Sequence, residues 1–66
     1  MKNLLKVERA KRNITQGQLA KHIGVSRQTI NAIETGKFVP STILALKLSQ
    51  YFKARVEDIF ILEDND

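Results

Sequence analysis

The chain has no cysteine, a single proline, three glycines, and no apolar run long enough to reach across a bilayer. Without cysteine there is no disulfide framework, no thiolate metal site and no cysteine nucleophile. A small domain that lacks such staples fits a reducing cytosol, so a cytoplasmic location is expected. The longest apolar stretches, "ILAL" and "IFIL", fall far short of the ~20 residues that a spanning helix needs. No apolar h-region follows "MKNLLKVERAKRN", and neither end carries a lipidation motif, so no membrane partner is expected. Internal repeats, low-complexity segments and linkers are also missing.

What is present suits one small all-α domain. A chain of 66 residues buries only about 60% of the surface that its unfolded form exposes, which leaves a marginal core. Hydrophobic residues make up 42% of the chain, enough for a globular fold. The net charge of +4 is unevenly spread. Residues 1 to 37 carry eight Lys or Arg against Glu8 and Glu34, a net of +6. Residues 38 to 66 carry three Lys or Arg against five acids, a net of −2. The N-terminal half is a basic body, and the residues 63–66 "EDND" form an acidic tail to a domain spanning 1–62. Such asymmetry suits a face turned to a polyanion, although a basic surface without a partner has the same composition.

Patterning divides the chain into five helices. Leu4, Leu5 and Glu8 through Lys11 suggest the first, with Leu4 and Val7 inward, Leu5 a further inward candidate, and Lys2, Lys6, Lys11 and Arg12 outward. After the break at "NIT", Thr15 and Gln18 have the spacing of a capping box. A second helix then runs from Gln16 to about Ile23, burying Leu19, Ala20 and Ile23. Gly24 suits a left-handed helix stop, and Ser26 caps a third helix that ends near Thr35, with Gly36 as the next stop. Pro40 holds Val39 extended, and Ser41 caps a fourth helix, "TILALKLSQYF", with Leu44, Leu48 and Phe52 inward and Leu46 off that line. A short fifth helix covers Val56 to Phe60, and "FIL" is a candidate strand beside "MKNL".

Helix, three-residue turn, helix is the arrangement between Gln16 and Thr35. Helices joined so tightly cross steeply, at about 90–120°. Ala20 permits the close approach, Gly24 the turn, and Val25 fills the corner, while Leu19, Ile23, Ile30 and Ile33 tie the pair to the core.

The segment "TQGQLAKHIGVSRQTINAIETGK", followed by "PSTILALKLSQYF", resembles the Cro/repressor-type (XRE-family) helix-turn-helix domain over roughly residues 3 to 60. "VEDIFIL" further resembles small stand-alone members that act as dimeric repressors. The resemblance implies a lambda repressor-like five-helix bundle that binds double-stranded operator DNA as a homodimer. In such a unit the second helix of the pair enters the major groove, and residues near its N-terminus reach base edges.

On that basis Arg27, Gln28 and Asn31 are the expected base contacts. They share one face opposite Ile30 and Ile33; Arg suits guanine, and Gln or Asn suits adenine. Ala32 on the flank is placed to touch a thymine methyl. Gln16, Ser26 and Lys37 are the expected backbone contacts, with Thr29 assigned to the backbone or to the helix cap and Phe38 packing beneath the "KFVPST" loop. Lys6, Lys11, Arg12 and Lys21 supply attraction at longer range. The resemblance also implies an ion pair between Glu34 and Arg9, read as structural.

Each of these residues also has a plainer reading as solvated surface or core. His22 stands alone, without the three or four ligands a metal normally needs, so no metal or other cofactor is expected. Ser26, Ser41 and Ser49 lack a base with an orienting partner, and enzymatic activity is not expected. Tyr51 and Phe52 suit the core or a dimer contact better than a stacking platform. Leu46, Phe60, Ile61 and Leu62 are surplus apolar residues that motivate the homodimer. The reading is a transcriptional regulator that represses from a near-palindromic site, with no small-molecule ligand evident. The alternative from another class is an antitoxin or adaptor whose main surface grips a protein.

Overall fold

A computed structural model describes all 66 residues. In chain order the elements are β1 (Lys2–Asn3), α1 (Leu5–Lys11), α2 (Gln16–Ile23), α3 (Arg27–Glu34), α4 (Thr42–Phe52), α5 (Val56–Ile59) and β2 (Phe60–Ile61). None of the helices is long and apolar enough to cross a membrane.

Local chemistry sets the boundaries of the central helices. At the start of α2, Thr15 Oγ1 accepts from the Gln18 amide at 3.0 Å while Gln18 Oε1 accepts from the Thr15 amide at 2.8 Å, a complete capping box. Ser26 and Ser41 accept from the amides of Thr29 and Leu44 in the same manner. α2 stops at Gly24, where φ is +89°, and the amides of Gly24 and Val25 both donate to the Ala20 carbonyl. That left-handed residue turns the chain within three positions and sets α3 across α2.

The core unites every helix. Leu5, Leu19, Ile30, Ile33, Leu48 and Ile59 are fully enclosed, with Leu44, Phe52 and Phe60 at its edge. The two termini close one side as an antiparallel pair, Lys2 opposite Ile61 and Asn3 opposite Phe60, as the "FIL"/"MKNL" pairing predicts. Asn3 does more than pair: its Nδ2 donates to the Ile33 carbonyl at 2.8 Å, and its Oδ1 accepts from the Leu5 amide. The end of α3 is thereby pinned to the first residues of the chain.

Three expectations are corrected. Leu4 and Val7 are 40% and 47% exposed, whereas Leu5 is wholly buried. The inward face of α1 is Leu5, Glu8 and Arg9, so its polar half hides the helical stripe from an apolar pattern. Phe60 is 7% exposed and belongs to the core, because strand alternation turns it inward and Ile61 outward. Phe38 is 46% exposed instead of packed beneath its loop.

Candidate nucleic-acid interface

The turn at Gly24–Ser26 leaves the outer face of α3 uncovered. Ile30 and Ile33 fix the inner face in the core, and Arg27, Gln28 and Asn31 stand on the opposite side. These three alone line a shallow polar hollow that no apolar residue and no acid borders. Neither Arg27 nor Gln28 forms a side-chain hydrogen bond or ion pair within the chain, so both side chains are available to a ligand. An unpaired guanidinium beside two carboxamides offers the donors and acceptors that a major-groove edge matches.

The groups expected at the backbone lie along and at the ends of α3 and at the start of α2. Ser26 and Thr29 share a hydroxyl hydrogen bond of 2.9 Å at the start of α3. Lys37 has no acidic partner, and its amide is seated on the Ala32 carbonyl at 2.9 Å, which holds the segment after α3 against the helix end. Ala32 itself is half-buried on the flank. The amides of Gln16 and Gly17, at the start of α2, have no acceptor within the chain, as is usual for the first turn of a helix.

Gln16 occupies a position that its sequence did not disclose. Its Nε2 donates both to Asn31 Oδ1, at 3.2 Å, and to Glu34 Oε1, at 3.1 Å. Glu34 in turn accepts from Arg9 Nε at 2.9 Å and Arg9 Nη2 at 3.2 Å. Arg9 also donates to the Ile14 carbonyl at 2.9 Å, which ties the loop before α2 into the same network. The paired hydrogen bonds that Arg9 donates to Glu34 hold its guanidinium above its already high ordinary pKa. Beyond the Arg9–Glu34 pair that the resemblance implies, the one signal of this network in the sequence is the i, i+3 spacing of Asn31 and Glu34, which puts them on adjoining faces of α3.

The other cations divide into two groups. Lys6 and Lys21 have no acidic partner in the chain. Lys11 is paired with Glu8 at 2.9 Å. Arg12 donates to the Phe52 carbonyl at 3.0 Å and lies 5.5 Å from the Tyr51 ring centre and 5.6 Å from that of Phe52. Its stem and head thus fasten α1 to the end of α4, a role that a count of charges misses. His22 stacks on Tyr51 with ring centres 5.3 Å apart. Four of the five acids of the C-terminal half are held elsewhere: Glu57 and Asp58 pair with Arg55, and Glu63 and Asp66 with the Met1 amino group.

Comparison with known proteins agrees with this geometry. A family model described as helix-turn-helix matches residues 5–59. An uncharacterized HTH-type transcriptional regulator of Methanocaldococcus jannaschii is 58% identical over 66 residues, covering both chains completely. One of Archaeoglobus fulgidus is 47% identical, spanning all of this chain and 93% of its own. The YgzD protein of Bacillus subtilis, named in the same way, is 46% identical with both chains fully covered.

Proposed function

The chain belongs to the Cro/repressor-type helix-turn-helix family of DNA-binding transcriptional regulators, and from that premise we propose that it represses transcription as a homodimer on a near-palindromic operator. The family is non-enzymatic, so function resides in what the surface binds. In this reading Arg27, Gln28 and Asn31 contact base edges, and Ala32 meets a thymine methyl. Lys37, Ser26 and Thr29 engage phosphates, joined by the main-chain amides of Gln16 and Gly17. The observation that carries it is the open face of Arg27, Gln28 and Asn31, where Arg27, Gln28 and the Asn31 Nδ2 have no partner in the chain, fixed from behind by Ile30 and Ile33.

The homodimer rests on a separate observation. An apolar groove of about 250 Å³ runs between Val39, Pro40, Ala45, Leu46 and Val56. Ile43 and Leu62 add large exposed apolar surface to the same chain. A second copy covering this region would hide surface that a marginal core leaves uncovered. Two-fold symmetry then requires half-sites about 34–36 Å apart.

Selection of bound duplexes from a randomised pool, with sedimentation of the free protein, tests both parts. A near-palindromic consensus and a dimer at micromolar concentration are expected. Monomer alone at high micromolar concentration contradicts the homodimer, and an unstructured consensus contradicts the operator.

A further inference from the structure

Every link from Arg9 to Asn31 has a fixed hydrogen-bond polarity. A guanidinium only donates, and Arg9 donates to both oxygens of Glu34. An ionised carboxylate only accepts, so the Gln16 atom meeting Glu34 Oε1 has to be the amino nitrogen Nε2. The same nitrogen reaches Asn31 at 3.2 Å and needs an acceptor there, which makes that atom Oδ1. Only the Nδ2 end of Asn31 is left without a partner in the chain, beside Arg27 and Gln28 at the hollow. Which way a carboxamide points is normally ambiguous; here the ion pair two links away decides it.

We propose that Gln16 is a positioning residue for base readout, holding Asn31 with its amino group outward so that Asn31 selects guanine or thymine over adenine. The proposal rests on the reading that α3 contacts bases. Pairing Asn with adenine requires the amide oxygen and nitrogen to face the base together. With Oδ1 turned to Gln16, the free amino group suits guanine, whose O6 and N7 both accept, or the O4 of thymine. Adenine offers that amino group N7 alone, because its N6 amino group would meet a second donor. Both hydrogens of Gln16 Nε2 are committed, so a phosphate contact by that side chain has to break one of its two bonds.

Selections from a randomised duplex pool with wild-type protein and two variants test this. Asn31→Ala identifies the base that Asn31 reads, as the position where preference is lost. Wild-type protein is expected to favour guanine or thymine over adenine there by roughly ten-fold. Gln16→Met keeps the length of the side chain and removes its donor, which frees the Asn31 amide to turn. Adenine is then admitted, discrimination at that base drops to about two-fold, and other positions are unchanged. Combined with Asn31→Ala, the same substitution alters nothing further. A wild-type preference for adenine at that base overturns the proposal, whether or not the variant folds. So does a Gln16→Met protein that binds all duplexes more weakly by one common factor, the mark of a phosphate contact. Wild-type protein without any sequence preference removes the proposal and the underlying reading together, an outcome distinct from failure of the positioning role alone.

Discussion

Arg9 and Glu34 lie 25 residues apart in the chain and meet in a two-pronged ion pair, with only 16% and 5% of their side chains accessible. The pair fastens α1 to the end of α3, between the core and the Asn31 face. Desolvating two charges is costly, so such a pair contributes little over well-packed apolar residues, while breaking it strands a charge. Glu34→Ala is expected to cost about 3 kcal/mol, a large share of what a domain this small possesses. Arg9→Met combined with Glu34→Leu should cost clearly less. Urea unfolding of the three proteins checks the order, and equal losses would show that breaking the pair strands no charge.

Base-reading and phosphate-binding residues should respond differently to truncation. Gln28→Ala is expected to lose about 1–3 kcal/mol on the selected operator and to relax preference at one base pair. Lys37→Ala should weaken operator and random duplex alike and reduce the log–log salt slope by about 0.9. Anisotropy titrations across a salt series separate the two. Identical behaviour would dissolve the division of roles.

Two left-handed helix stops carry different residues, Gly24 at φ +89° and Lys53 at φ +53°. A Cβ at Gly24 meets nothing within 4 Å, so the cost of Gly24→Ala comes from backbone conformation alone, about 1 kcal/mol. Lys53→Gly should have the opposite sign and stabilise by about 0.5 kcal/mol. Thermal unfolding of both variants provides the check.

These positions also mark what was legible in the sequence. Thr15 with Gln18, Ser26, Ser41 and Gly24 declare their roles because a cap or a stop is satisfied within a few residues. Even the pairing of the two ends could be foreseen, since both offered short strand-like runs, although the register of Asn3 opposite Phe60 could not. Lys53 could not, because a lysine in the left-handed region has no compositional signature. Leu5 was obscured by Leu4 and Val7, since the stripe it heads continues through Glu8 and Arg9. The bonds of Asn3 to Ile33, Arg12 to Phe52 and Gln16 to Asn31 span from 15 to 40 positions. Only the packed fold brings such groups together, and polar side chains on exposed helices carry no mark of which partner they will meet.

Acid titration should find two depressed carboxyls, Asp58 and Asp66, and Asp58 is the one with a side-chain partner to remove. Hydrogen bonds from Arg55 hold its carboxyl below the ordinary aspartate range. A depressed carboxyl contributes stability at pH above its unfolded value and loses it as pH falls through the folded value. The loss is therefore confined to strongly acidic solution, below about pH 4. An NMR titration should find the Asp58 midpoint depressed in the wild type and returned to the ordinary range in Arg55→Ala. A midpoint unmoved by that substitution would remove Arg55 as the cause.

The most direct measurement compares affinity for the selected operator with that for a scrambled duplex of equal length and composition, at several salt concentrations. If the outer face of α3 reads bases, the operator binds ~10³–10⁷-fold more tightly, and both affinities fall steeply with salt. Equal affinity for the two duplexes at every salt concentration would contradict base readout by Arg27, Gln28 and Asn31.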